Sequence, residues 1–142
     1  MDTDTAHRRP LTPAERALIG TAADLGTGGE LLAARHLAVD HGLEVLVRNW
    51  RVAEGELRGE LDLIALDPAT DTLVVCEVKT RRDAARFGGA LAALGPRQHR
   101  RLRALTGAFL RSVPRRYTAL RLDLVAVDLG REGSLTHLEG VG

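Results

Sequence analysis

Apolar and polar positions along the chain fall into two periods. In residues 30–41, Leu31, Ala34, Leu37 and Ala38 form one stripe at helical spacing and Gly42 follows as a stop, which predicts a helix. A second long helix is expected from Pro96 to about Ser112, with Leu102, Leu105 and Phe109 turned inward and Pro114 beyond its end. Near the start, Thr12, Pro13 and Glu15 make a capping box with Pro in the first helical position, so a short helix is expected to about Leu25. The cluster Gly26, Thr27, Gly28, Gly29 then marks a break or a close approach between elements.

Between the helices the period shortens to two. Residues 43–47 read as a strand, followed by a glycine-containing turn near residues 54–56. Residues 61–66 and 73–78 read as a hairpin around the turn formers Asp67, Pro68, Ala69, Thr70 and Asp71. After a loop over 83–89 and a helical turn over 90–94, residues 120–129 alternate as a strand, and 135–138 form a last short one. Residues 1–11 are polar and aperiodic and are expected to be a disordered tail; residues 12–142 are expected to be one domain. The resulting order, α-β-β-β-α-β, predicts an α/β fold.

Composition narrows this picture. Aromatic residues are 3% of the chain, so the core must be built from Leu, Val and Ala. The one cysteine, Cys76, excludes an internal disulfide and fits a reducing compartment; it falls on the strand face opposite Glu77, as a small core residue. No apolar run approaches the roughly 18 residues of a membrane helix, and residues 1–10 contain no apolar signal core, so a cytoplasmic protein without membrane contact is expected.

The net charge of +1 conceals an asymmetry. From Lys79 to Arg116 there are 11 basic residues and one acid, Asp83, a sum of +10. Such a segment suits a polyanionic partner, although a solvated helix face accounts for it as well.

Candidate chemistry gathers on the hairpin. Strand alternation puts Glu77 and Lys79 on one face and Cys76 and Val78 on the other, and gives Glu60 and Asp62 a common face. Charged groups that interrupt apolar strands are costly to bury unless they are paired or hold a metal. Lys79 is the only lysine in a chain with 19 arginines, which points to a need for a compact ammonium donor. Asp62 and Glu77 on adjacent strands could share a hard cation, Mg²⁺ or Mn²⁺, with Lys79 beside it to orient water or stabilise charge building on a phosphorane. The bland alternative is a turn carboxylate at Asp62 and a cross-strand ion pair between Glu77 and Lys79. Glu30 likewise has a bland account as a first-turn acid favoured by the helix dipole. The residues alone leave both readings open.

Several motifs, in order, resemble the bacterial YraN family of endonuclease-like proteins. They are Gly29 and Glu30 leading the helix, Asn49-Trp50-Arg51, Gly59-Glu60-Leu61-Asp62-Leu63-Ile64, Glu77-Val78-Lys79-Thr80-Arg81, Phe87-Gly88, Arg100-Arg101-Leu102, Leu122-Asp123 and His137-Leu138-Glu139-Gly140. Gln98 stands where the family pattern has Lys, and the stretch after Gly88 lacks the expected acid. The resemblance implies a restriction-endonuclease-like PD-(D/E)XK fold, with a mixed central sheet flanked by helices, related to archaeal Holliday-junction resolvases. It implies Asp62, Glu77 and Glu30 as metal ligands and Lys79 as the catalytic lysine, with Mg²⁺ or Mn²⁺ as cofactor. It also implies DNA backbone contacts from Arg81, Arg82 and Arg86, with the helix bearing Arg97, Arg100 and Arg101 as a second contact surface. The expected activity is DNA phosphodiester hydrolysis, on branched or repair-type substrates, by a protein that works as a homodimer where two cuts are needed. The alternative is a nucleic-acid-binding accessory protein that keeps the fold without useful turnover.

Overall fold

In the computed structural model, which describes residues 6–82, 94–130 and 133–141, the strands form one six-stranded sheet. The elements in chain order are β1 (Ala6–Pro10), α1 (Pro13–Gly20), α2 (Leu25–His41), β2 (Glu44–Glu54), β3 (Leu57–Asp67), β4 (Thr72–Arg81), α3 (Pro96–Ser112), β5 (Ala119–Asp128) and β6 (Ser134–Leu138). The sheet order is β1-β6-β5-β4-β3-β2. Only the β4–β5 pair is parallel, and α3 supplies the crossover that a parallel pair requires. This is the expected mixed sheet flanked by helices, and it agrees with a restriction-endonuclease-like α/β fold.

Two cores lie on opposite faces of the sheet. On one, Leu32, Ala33 and Leu37 of α2 pack against Leu63, Ala65, Val74, Cys76 and Val125. On the other, Leu102, Leu105 and Phe109 of α3 pack against Leu61, Ile64, Leu73, Val75 and Leu122. Trp50 of β2 meets Phe109 edge-on, with ring centroids 5.4 Å apart. The α3 stripe is the one expected from the sequence.

Three expectations need correction. The disordered tail was to cover residues 1–11, but residues 6–10 form β1 and pair antiparallel with β6. An unpaired edge of β6 offers hydrogen-bonding groups, and Arg9 binds Glu15 at 2.7 Å and Asp40 at 3.1 Å, so a polar segment is held without apolar periodicity. The first helix ends at Gly20 rather than near Leu25. The glycine cluster does not interrupt a helix but lies within α2, whose N-cap Asp24 accepts the Thr27 N–H at 2.7 Å. Its close-approach role holds: a Cβ on Gly28 would lie 3.1 Å from Ile19, and one on Gly29 would collide with the Thr80 side chain. The 83–89 loop, most of the 90–94 helical turn and the first five tail residues lie outside the described residues.

Candidate functional site

The chemistry sits where β3 and β4 part. Their register ends at Leu63 opposite Cys76. Just beyond, Asp62 Oδ2 accepts the Val78 N–H at 2.9 Å, so the carboxylate takes a backbone donor of the neighbouring strand. Leu61 and Ile64 both pack under α3 while Leu63 packs under α2, so strict alternation breaks at Asp62. The break brings the end of β3 towards the layer of α2.

Glu30, Glu60 and Asp62 each place a carboxylate oxygen within 4.8 Å of the others. Glu30 reaches this point because Gly29 lets α2 close directly on Thr80 of β4, one residue from Lys79. Since α2 begins at Leu25, Glu30 lies beyond the first turn, where the helix dipole no longer explains a carboxylate. Asn49, a non-glycine residue at φ +55°, sets its side-chain amide against two of the acids; with the amide nitrogen assigned to that side, as its partners require, it donates to Glu30 Oε2 at 2.8 Å and Glu60 Oε1 at 2.7 Å. Arg51 pairs with Glu60 at 3.0 Å.

Glu77 is buried on β4 with 6% of its surface exposed; its Oε1 pairs with the Lys79 ammonium at 3.2 Å and accepts from Gln98 Nε2 at 3.2 Å. Gln98 thus takes up the α3 position next to this acid. The expected sharing of a face by Glu77 and Lys79 holds, as does the placement of Cys76 and Val78 in the opposite core. Burial pushes the Cys76 thiol far up, which makes it an inert core group.

The acids strain against one another. Burial first, and then the charge of Glu77, push Asp62 up to about 7, against the opposing pull of the Val78 N–H. Burial and the neighbouring Glu60 raise Glu30 above the usual carboxylate range, with Asn49 opposing. Three clustered carboxylates are oxygen donors of the kind that suits a hard divalent cation, and the 4.8 Å spacing lets one ion touch all three. Glu30, Glu60 and Asp62 therefore fit Mg²⁺ or Mn²⁺, with Glu77 next to them as a further negative charge.

The expected arginines divide. Arg101 lies over Gly59, where an added Cβ would come 2.7 Å from its guanidinium, so it borders the acids. Arg97 and Arg100 are exposed on α3, and Arg81 and Arg82 are exposed at and beyond the end of β4. Arg86 lies outside the described residues. Asn49 and Gln98 were not anticipated as site residues. For Asn49 the available signal was a residue tolerant of positive φ inside a strand.

Among the described residues no helix is long and apolar enough to cross a membrane. A family model described as "Uncharacterised protein family UPF0102" matches residues 29–127. A UPF0102 protein of Mycobacterium avium (strain 104) is 47% identical over 124 residues, covering 86% of this chain and 92% of the relative. One of Mycobacterium sp. (strain JLS) is 45% identical over 123 residues, with 85% and 87% covered. One of Mycobacterium ulcerans (strain Agy99) is 44% identical, with 86% and 97% covered.

Proposed function

From the premise that the chain belongs to the UPF0102 family, we propose that it is a metal-dependent endonuclease of the YraN, PD-(D/E)XK type, which hydrolyses DNA phosphodiester bonds with Mg²⁺ or Mn²⁺. The observation that carries the reading is the convergence of Glu30, Glu60 and Asp62 within 4.8 Å, with Lys79 held 3.2 Å from the adjoining Glu77. Glu30, Glu60 and Asp62 would hold the ion, which when bound neutralises a phosphate oxygen and acidifies water. Glu60 joins the expected ligands, whereas Glu77 stands one step back.

The side chains of the chain have separable tasks. Asn49 braces Glu30 against Glu60 and so keeps two of the donors aimed together. The Lys79 ammonium, tethered to Glu77, supplies a donor and a positive charge for a phosphate passing the fork. Arg101 beside Gly59, with the exposed Arg97, Arg100, Arg81 and Arg82, supplies cations for the sugar–phosphate backbone, which positions a duplex without reading its sequence.

A second reading, DNA binding without turnover, is favoured by one feature. Glu77 is engaged by both Lys79 and Gln98 and is absent from the convergent set. One experiment separates the two. Junction, flap, single-stranded and linear DNA are incubated with the protein and Mg²⁺ or Mn²⁺, alongside Asp62→Ala and Lys79→Ala. Cleavage abolished by both substitutions supports the nuclease; salt-sensitive retention of DNA with no cleavage on any substrate transfers the case to the binding protein.

A further inference from the structure

The far end of α2 carries a polar cluster that the acidic site does not use. His36 and His41 of α2 meet His137 of β6, with ring centroids 4.7 to 5.1 Å apart. His36 Nε2 lies 3.1 Å from His137 Nδ1, and His41 Nε2 lies 3.3 Å from that same atom. One ring nitrogen from each of the three histidines therefore lies within 4.8 Å of the other two, on two elements far apart in sequence.

The outer nitrogens of two of these rings are engaged. His36 Nδ1 faces Asp40 Oδ2 at 2.7 Å, and His137 Nε2 faces Asp123 Oδ2 at 2.8 Å. A carboxylate accepts, so these two contacts occupy the outer nitrogens and leave His36 Nε2 and His137 Nδ1 turned inward, towards each other and towards His41. They meet inside a site where His137 is fully buried and His36 nearly so.

Inward-facing ring nitrogens at this spacing suit a metal cation. With Zn–N bonds of about 2.0–2.1 Å, the corners of a tetrahedral zinc site stand about 3.3–3.4 Å apart, close to the 3.1 and 3.3 Å found here. We propose that His36, His41 and His137 are the ligands of a second metal site, selective for Zn²⁺ or a similar nitrogen-preferring transition ion. Asp40 and Asp123 are the outer carboxylates that fix ring orientation and tautomer. They are anchored in turn by Arg9 at 3.1 Å and Arg121 at 2.9 Å. A groove of ≈ 830 Å³ lined by His7, Arg9, Arg35, His36 and His41 opens onto the cluster, which provides a route for the ion and a place for water as fourth ligand. The ion ties the C-terminal half of α2 to β6, at the opposite end of the helix from Glu30. Nitrogen donors here and oxygen donors at Glu30, Glu60 and Asp62 divide soft from hard cations within one small domain.

The test is binding, so it does not depend on nuclease activity. Chelator-stripped protein is titrated with Zn²⁺ by calorimetry and with Co²⁺ by visible absorption. One equivalent of Zn²⁺, the intense d–d absorption of four-coordinate Co²⁺, and no competition from excess Mg²⁺ are expected. His41→Ala, at a partly exposed position that leaves the core intact, is expected to weaken Zn²⁺ binding at least tenfold, and His36→Gln to do the same. Asp62→Asn is expected to bind Zn²⁺ as the parent does. The proposal is overturned by a parent that takes up no Zn²⁺ at micromolar concentration, by an octahedral Co²⁺ spectrum, by unchanged affinity in His41→Ala, or by loss of Zn²⁺ binding in Asp62→Asn. Should His36→Gln fail to fold, the His41→Ala result decides alone.

Discussion

Replacing Asp62 by Asn is expected to stabilise the metal-free protein, and to do so more at alkaline pH. The substitution keeps a carbonyl oxygen for the Val78 N–H, now accepted at 2.9 Å, and removes a charge that the fold disfavours. Asp62 rises from 3.8 to about 7 on folding, about three pH units, which at about 1.4 kcal/mol per unit is roughly 4 kcal/mol once the group is fully ionised in both states. Asp62 is partly exposed, and solvent screening brings the expected figure to about 2 kcal/mol. The native state binds the proton more tightly than the unfolded chain. The group's contribution is therefore most favourable at low pH, is lost as pH rises from about 4 to about 7, and stays lost above that. Urea unfolding in chelator, at about pH 5 and again near pH 8.5, should show the variant's advantage growing by roughly 1 to 2 kcal/mol between the two. Addition of Mg²⁺ should raise the parent's stability at the higher pH and leave the variant little changed. An advantage equal at both pH values, or a variant less stable than the parent at pH 8.5, would refute a charge-strained acidic cluster.

Other perturbations probe the packing that aims these groups. Gly29→Ala forces a methyl group into the Thr80 side chain and should cost about 1–3 kcal/mol in thermal or urea melts; part of the loss should return in the Gly29→Ala, Thr80→Ala double variant. Asp123→Ala strips a buried partner from His137, Arg121 and the Gly140 N–H, and a loss of about 3–5 kcal/mol in chelator, read from the urea midpoint, is expected. On the nuclease reading, changing Arg97, Arg100 and Arg101 together to Gln should weaken DNA retention and flatten its dependence on log salt by about 0.9 for each phosphate no longer neutralised. An unchanged slope would remove α3 from the DNA-binding surface.

Much of the frame was legible because apolar periodicity records burial directly. Leu102, Leu105 and Phe109 occupy the inward stripe expected of α3, and the Asp67–Asp71 turn separates two buried strands as expected. The strand period also placed Glu77 beside Lys79. What escaped depends on tertiary packing that periodicity does not encode. β1 is a polar strand held by ladder pairing and by Arg9, so its sequence resembles a tail. The start of α2 is set by the Asp24 cap, which overrides three glycines of poor helix propensity. Asn49 meets Glu30 and Glu60 only through a local positive φ. The three histidines come together because β6 returns beside β5 at the α2 side, a tertiary fact with no local sign.

The outer part of the sheet bears on how this protein can be cut. The span matched by the family model opens at Gly29, inside α2, and closes at Val127, inside β5. A chain trimmed to that span would lose β1, α1, the Asp24 cap and β6, and with them Leu11, Ile19, Leu135 and Leu138 from the apolar interior. β5 would become a bare edge, open to pairing with another molecule, and buried Asp123 would lose its hydrogen-bond partner His137. The span matched by the family model is thus smaller than what must fold together. Truncations meant to isolate the acidic cluster should keep the first histidine-bearing strand and the last, or they will report on aggregation instead of the site.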